Sequence, residues 1–392
     1  MIKTIDELPL ENRVTFLRVD FNVPLRQGRV AEPHRIESTL PTIRRILERA
    51  NKIVIASHLG RPEGKTVPQY SLAPVRDHLE HLIQEPVALA PDCVGAEVEQ
   101  LVRNATQRII LLENLRFHKE EEANELAFAK SLAALADVYI DDAFGAAHRA
   151  HASISGMAAF FKHKGAGLLM QKELDYLSRL LTNPDEPFVT ILGGAKVSDK
   201  ITVIRNLLPK VSALLIGGGM AYTFLKAQGV EIGNSLVEND KLQLARELLE
   251  EAAGHHVGIF LPVDHVTGDK DKKNPVTIES KIPADRLGLD IGPKSIGLFG
   301  DKIRNAKMVL WNGPVGLFEV PPYDHGSRAL AHILAETNSS CVSIIAGGDT
   351  VAAVTAAGVG NALSHLSTGG GATLEFLEGK HLPGIKALEV NA

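Results

Sequence analysis

Short runs of valine, isoleucine and leucine alternate along this chain with longer stretches of helical period. That order is the signature of a parallel β-sheet covered by helices on both faces, an α/β fold. Strands are expected at Val14 to Phe21, Lys52 to Ser57, Arg108 to Leu112 and Val138 to Asp142. A second group is expected at Phe188 to Leu192, Ala213 to Ile216, Gly258 to Val263, Met308 to Trp311 and Cys341 to Ala346. Helical stretches lie between them, among them Ile36 to Ala50, Glu121 to Ala136, Asp240 to Ala253 and Gly326 to Glu336. In open sheets of this kind ligands bind beyond the carboxyl ends of the strands, so the residues that follow each run carry the functional information.

Those residues differ between the two halves. In the first half the runs end in charge: Arg18, Asp20 and Asn22, then His58 and Arg61, Arg116 and His118, and finally Asp141, Asp142, His148 and Arg149. In the second half they end in glycine: Gly193 and Gly194, Gly217 to Gly219, Gly313 and Gly316, Gly347 and Gly348, and Gly369 to Gly371. Arginine forks grip small anions, and glycine backbone at a helix start cradles phosphate. The first half therefore suits an acidic metabolite and the second a nucleotide.

A chain of 392 residues is long for one core, and its apolar fraction of 45% supplies two. Between the halves, Met170 to Leu181 carries a leucine stripe at helical spacing and ends in Asn183-Pro184-Asp185-Glu186-Pro187, a helix stop. The expected organisation is two doubly wound domains of similar size, 1–169 and 184–379, joined by a hinge helix at 170–183, with a C-terminal tail at 380–392. The net charge of -5 and the dispersed arginines argue against nucleic acid as a partner. The two cysteines, Cys93 and Cys341, have no metal spacing, the N-terminus reads unlike a signal peptide, and charge or glycine breaks each apolar segment, so a reduced cytoplasmic protein without a membrane segment is expected.

Each cluster also has a plainer reading. Glycine after a strand often makes only a tight turn, and neither the Walker pattern nor G-x-G-x-x-G is present. His148 and His151 lack a third ligand at helical distance and read as a polar loop. Asp141 and Asp142 read as turn or capping residues, and Arg18 as structural.

Taken together, LRVDFNVP, SHLGRP, ENLRFH, DDAFGAAHRAHAS, LGGAKVSDKI, GGGMAYTFL, LWNGPVGLFE, AGGDT and STGGGATLEFLEGK closely resemble, in order and spacing, the phosphoglycerate kinases, from about Asp20 to Lys380. Ala146, Tyr222 and the Pro33-His34 pair depart from the family's usual residues. The resemblance implies reversible phosphoryl transfer between 1,3-bisphosphoglycerate and Mg-ADP, giving 3-phosphoglycerate and ATP in glycolysis, by a monomer whose domains close over the two substrates. It also implies that the tail crosses back to the first domain.

Carried over by motif, Asp20 and Asn22 hold the hydroxyl and carboxyl end of the acid, with Leu59 and Gly60 beside it. His58, Arg61, Arg116 and Arg149 grip its fixed phosphate. Arg35 faces the carboxyl and the phosphoryl in flight. Lys196 and Lys200, read as the opening turn of a helix, reach the nucleotide phosphates, which Gly193, Gly347, Gly348 and Thr350 line. Asp349 holds Mg2+, Glu319 the ribose, and Asn312 and Gly292 lie beside the nucleotide. Arg35, Lys196, Gly370 and Gly371 share the charge of the transfer. The acceptor is a carboxylate already ionised at neutral pH, so no general base is required.

Two other classes share part of this pattern. A two-lobed binder of phosphorylated acids would use the arginines but has no need of a second glycine-rich site with paired lysines, and a nicotinamide-dependent oxidoreductase would carry the dinucleotide fingerprint that is missing here.

Overall fold

A computed structural model describes residues 1–390, so the last two residues of the expected tail lie outside the described residues. The chain divides into two compact units, one of Met1–Asp175 together with the chain from His381 onward, the other of Tyr176–Lys380.

The first unit holds a six-stranded parallel sheet. Its strands are β1 (Val14–Arg18), β2 (Lys52–Ala56), β3 (Val87–Leu89), β4 (Ile109–Leu111), β5 (Val138–Asp141) and β6 (Lys164–Ala166), in the spatial order β3-β4-β2-β1-β5-β6. β2, β4 and β5 are buried along their whole length and β1 all but its first residue, so they read as mainly apolar runs, with charge confined to their ends at Arg18, Lys52 and Asp141. The helix His34–Leu47 packs on the sheet through Ile36, Ile43 and Ile46, which join Leu17, Val19, Ile53 and Ile55 in one core. Strand order reverses beside β1: β2 lies on one flank and β5 on the other, which makes the carboxyl ends of β1, β2, β4 and β5 the natural crevice for a ligand.

The second unit repeats the architecture with β7 (Phe188–Leu192), β8 (Ala213–Ile216), β9 (Gly258–Phe260), β10 (Met308–Asn312), β11 (Val342–Ala346) and β12 (His365–Leu366), in the order β9-β8-β7-β10-β11-β12. Its core is built on Ile191, Val309, Trp311 and Ile345, packed against Phe299, Ile303, Leu330 and Leu334 of two helices. Here the reversal falls beside β7, between β8 and β10.

Four short strands, β3, β6, β9 and β12, form the sheet edges, and three of them were not expected. At two or three residues they are too short to leave a periodic signal. A three-stranded antiparallel sheet of Asp264–Gly268, Val276–Glu279 and Leu287–Ile291 was also not expected. Its strands mix exposed, charged and glycine positions, so they carry no apolar run.

The single helix expected at Glu121 to Ala136 is two, Lys119–Glu122 and Leu126–Ala133. Asn124 between them adopts a left-handed backbone at φ 53°, which ends the first helix. The helix expected at Met170 to Leu181 runs from Leu168 to Thr182.

The turn-or-cap reading of the aspartate pair has a definite form. Asp141 accepts from the Ala143 amide at 2.9 Å, a local turn. Asp142 accepts from the amide of Met170 at 2.9 Å, in the first turn of the Leu168–Thr182 helix, and so caps that helix from a distant point in the sequence. Burial pushes the Asp142 carboxyl up to about 7, against hydrogen bonds from Thr42 and Met170 that lower it. A carboxyl whose pKa is higher folded than unfolded costs stability as pH rises from the unfolded value of ~4 towards 7. Asp142→Asn keeps an acceptor and removes the ionisation, so its denaturation midpoint should fall less between pH 5 and pH 8 than that of the parent chain. Parallel pH dependences in urea titrations would rule out this assignment.

Candidate active site

In the first unit, the loops after β1, β2, β4 and β5 bring the arginines together. Asp20, two residues past β1, accepts from Arg35 Nη1 at 2.6 Å, and Arg35 is the second residue of the His34–Leu47 helix. The Asn22 side chain accepts from the Gly60 amide at 2.9 Å, tying the loop after β1 to the loop after β2. Gly60 takes φ 62°, and a Cβ there would run into the Tyr70 ring. Its carbonyl accepts from Arg116 Nη1 at 2.8 Å. Asn114 clamps the same loop, accepting from the Leu59 amide at 3.2 Å and donating to the Leu59 carbonyl at 2.7 Å and the Tyr70 carbonyl at 2.9 Å. Asp20, Asn22, Arg35, Leu59, Gly60 and Arg116 therefore belong to one connected set.

Behind that set lies a buried network. Arg18 is 1% exposed; its Nε donates to Ser153 Oγ at 2.7 Å, Nη1 donates to the Val19 carbonyl, and Nη2 stands 3.3 Å from His58 Nδ1. The structural reading of Arg18 holds, and its contacts reach the site. Ser153 donates in turn to the fully buried Glu121 at 2.6 Å.

Burial, with the charges of Arg18, Arg116 and Arg35, holds the His58 imidazole well below its usual pKa, so it is neutral at physiological pH. Burial, with the charges of Arg116, Arg18 and Arg149, takes His151 to about 3, and burial lowers the Arg116 guanidinium to about 10. Buried guanidinium groups beside neutral imidazoles offer hydrogen-bond donors suited to an anion.

Arg149 Nε donates to His148 Nε2 at 3.2 Å, and Arg61 is exposed. The polar-loop reading of His148 and His151 fits the former better than the latter, which is buried and 4.0 Å from Glu121. His118 pairs with Asp92 at 2.7 Å.

In the second unit the loops after β7 and β10 cross backbone to backbone. A Cβ on Gly193 would overlap the Pro314 carbonyl, and one on Gly313, at φ 97°, would overlap Gly193. Lys196 and Lys200 lie in the loop that precedes the helix Ile201–Leu207, which corrects their expected place in its opening turn. Gly194 at φ 101° and the turn over Ser198 to Lys200 delay the helix. Lys200 Nζ donates to the Asn312 side chain, whose amide donates to the Ala346 carbonyl at 2.9 Å. Burial lowers the Lys200 ammonium, while Asp199, Asp349 and Glu378 raise it.

Gly347 precedes the helix Gly348–Ala356; Asp349 is exposed in its first turn, and the buried Thr350 hydroxyl accepts from the Gly313 amide at 2.7 Å. Gly370, at φ 52°, precedes the helix Gly371–Leu377. The structure thus gathers Gly193, Lys200, Asn312, Gly347 and Thr350 at the ends of β7, β10 and β11. Lys196 and Glu319 are exposed on the loops after β7 and β10.

Gly292 stands at the start of the helix Pro293–Arg304, beyond the antiparallel sheet. Its own amide donates to the Asp264 carbonyl at 2.9 Å, and the Asp264 carboxylate accepts from Lys294 and Ser295. The amides of that helix start are already satisfied.

The family model for phosphoglycerate kinase matches residues 5–380. The phosphoglycerate kinase of Koribacter versatilis is 52% identical over 397 residues, with 98% of each chain covered. That of Anaeromyxobacter sp. strain K is also 52% identical, with 99% of each covered. Among solved structures, phosphoglycerate kinase from Coxiella burnetii superposes with a TM-score of 0.87 at 40% identity, covering 99% of both chains. The phosphoglycerate kinase of Pyrococcus horikoshii gives 0.85 at 29% identity. Nine strand-end motifs, two parallel sheets and near-complete coverage of named relatives lead to one conclusion: the chain belongs to the phosphoglycerate kinase family.

Proposed function

We propose that the arginine-rich strand ends of the first unit bind the glycerate substrate and that the glycine-rich strand ends of the second bind the nucleotide. The reaction is that of the family: reversible phosphoryl transfer between 1,3-bisphosphoglycerate and ADP, giving 3-phosphoglycerate and ATP in glycolysis. The division of labour rests on one observation above the others, the gathering of Arg18, Arg35, Arg116 and His58 at the strand ends of the first unit, with Arg18 and His58 buried side by side and Arg116 bonded to the loop that bears Gly60.

In this reading Asp20 and Asn22 orient the glycerate hydroxyl and carboxyl. Arg61, Arg116 and Arg149 hold its phosphate, and neutral His58, with Nδ1 accepting from Arg18, offers its other ring nitrogen as a donor. Gly193, Lys196, Lys200, Asn312, Gly347, Gly348 and Thr350 serve the nucleotide phosphates, and Glu319 serves the ribose. Gly292 is the weakest of the set, because its helix start is capped by Asp264.

Asp349 suits Mg2+, since it is an exposed carboxylate in the first turn of a helix at the phosphate loops and this ion takes one or two carboxylates along with substrate phosphates. The ion would neutralise phosphate charge. Arg35, Lys196 and the backbone of Gly370 and Gly371 stabilise charge on the moving phosphoryl, and the attacking carboxylate needs no base. An in-line transfer between substrates held on two units requires domain closure, with the helix at 170–183 as the hinge.

Among the described residues no helix is long and apolar enough to cross a membrane. We place the enzyme in the cytoplasm as a monomer, since one chain carries both sets of residues. The decisive experiment supplies ATP and 3-phosphoglycerate and follows acyl-phosphate formation. Turnover is expected with both substrates and with neither alone; hydrolysis of ATP without acyl phosphate would remove this reading.

A further inference from the structure

Outside the substrate site, one cluster joins three side chains of metal-binding type from two separate segments: Asp92, Cys93 and His118. Asp92 and Cys93 follow β3, and His118 follows the short turn Leu115–Phe117 that carries Arg116. Their ligand atoms all lie within 4.8 Å of one another. Cys93 is fully buried and free, while the Asp92 and His118 side chains are 45% and 28% exposed. The thiol thus forms the floor of the cluster, and the carboxylate and imidazole form a rim open to solvent.

We propose that Asp92, Cys93 and His118 form a binding site for a thiophilic divalent cation of the zinc class, with a fourth position left to water.

Zinc takes sulfur at 2.3 Å and nitrogen or oxygen near 2.0 Å in tetrahedral geometry, which sets ligand separations of about 3.3 to 3.7 Å. The Asp92–His118 contact at 2.7 Å is shorter than that edge. Entry of the cation releases the Cys93 thiol proton and the proton shared between His118 and Asp92 to solvent and exchanges their hydrogen bond for two metal bonds, while the cluster, whose ligand atoms lie within 4.8 Å, closes to tetrahedral edges. Asp92 and His118, the partly exposed members, can turn towards the buried sulfur. The tilted ring of Phe128, 5.2 Å from that of His118, backs the imidazole. A cysteine thiolate among the ligands selects against magnesium, which prefers oxygen, so the site does not compete for the metal that accompanies nucleotide.

The test titrates Co2+, with no other ligand, into the full-length protein and follows thiolate-to-cobalt absorption in the near ultraviolet and ligand-field bands in the visible. One equivalent should bind, Zn2+ should displace it, and Cys341→Ser should leave the spectrum unchanged. Cys93→Ser should abolish the near-ultraviolet band, and His118→Ala should weaken affinity at least tenfold. Asp92→Asn, a milder change whose fold is checked by circular dichroism, should also weaken binding and so covers the case in which the buried Cys93 variant does not fold. Absence of a thiolate band under millimolar cobalt, or its persistence in a folded Cys93→Ser protein, would overturn the assignment.

Discussion

Arg35→Ala is expected to lower kcat by about a hundredfold or more while leaving the Kd for nucleotide nearly unchanged. The residue belongs to the first unit, at the start of the His34–Leu47 helix, and its guanidinium is 32% exposed and held at 2.6 Å by Asp20. A donor anchored by a carboxylate keeps its geometry without the substrate, which is the condition for stabilising charge that develops only during transfer. Removing one such donor commonly costs ~3 kcal/mol of transition-state stabilisation. Arg35→Lys keeps the charge but loses the planar fork, so it should recover only part of the rate. Rapid-quench measurement of phosphoryl transfer separates the chemical step from product release. If Arg35→Ala retains more than about a third of the parent kcat, the effect lies far below the range for such a donor and the role is wrong.

The architecture was legible in the sequence because buried parallel strands must be apolar along their whole length. β2 and β7 are buried throughout and apolar at every position but Lys52 and Thr190, and the strand ends that follow them carry the residues proposed to bind the substrates. Single-residue roles were less legible where the partner is distant in sequence. Asn114 lies 55 residues from Leu59, yet its side chain makes three of the hydrogen bonds that fix the loop bearing Gly60. Nothing in a lone Glu-Asn-Leu string signals that clamp. Glu121 reads as one of three consecutive glutamates, but the left-handed turn at Asn124 ends its helix, and the residue is fully buried against Ser153. The placement of Lys196 and Lys200 failed for a local reason. A spacing of four suits one helix face, but Gly194 and the turn at Ser198 to Lys200 hold both lysines in the preceding loop, where Lys200 reaches Asn312 instead.

Asp349→Asn should weaken binding of Mg-nucleotide far more than binding of metal-free nucleotide. The carboxylate is exposed in the first turn of the Gly348–Ala356 helix, following Gly347 at φ 90°, so it sits where backbone amides collect phosphate oxygens. An acid at that place repels bare phosphate unless a cation intervenes, and its charge also acts on the Lys200 ammonium. Asparagine is nearly isosteric and preserves the helix start, but it lacks the charge that draws a hard divalent ion. Two opposing effects follow. With Mg2+ the variant loses one ligand and the attraction between carboxylate and metal; without Mg2+ it loses a repulsion, so metal-free affinity should hold steady or rise slightly. Titration calorimetry with ADP in the presence of Mg2+, and again in its absence, reads the two effects separately. Equal losses in both conditions would mean that Asp349 contacts the nucleotide or supports the loop rather than the metal, and the metal-binding role would then pass to another acid.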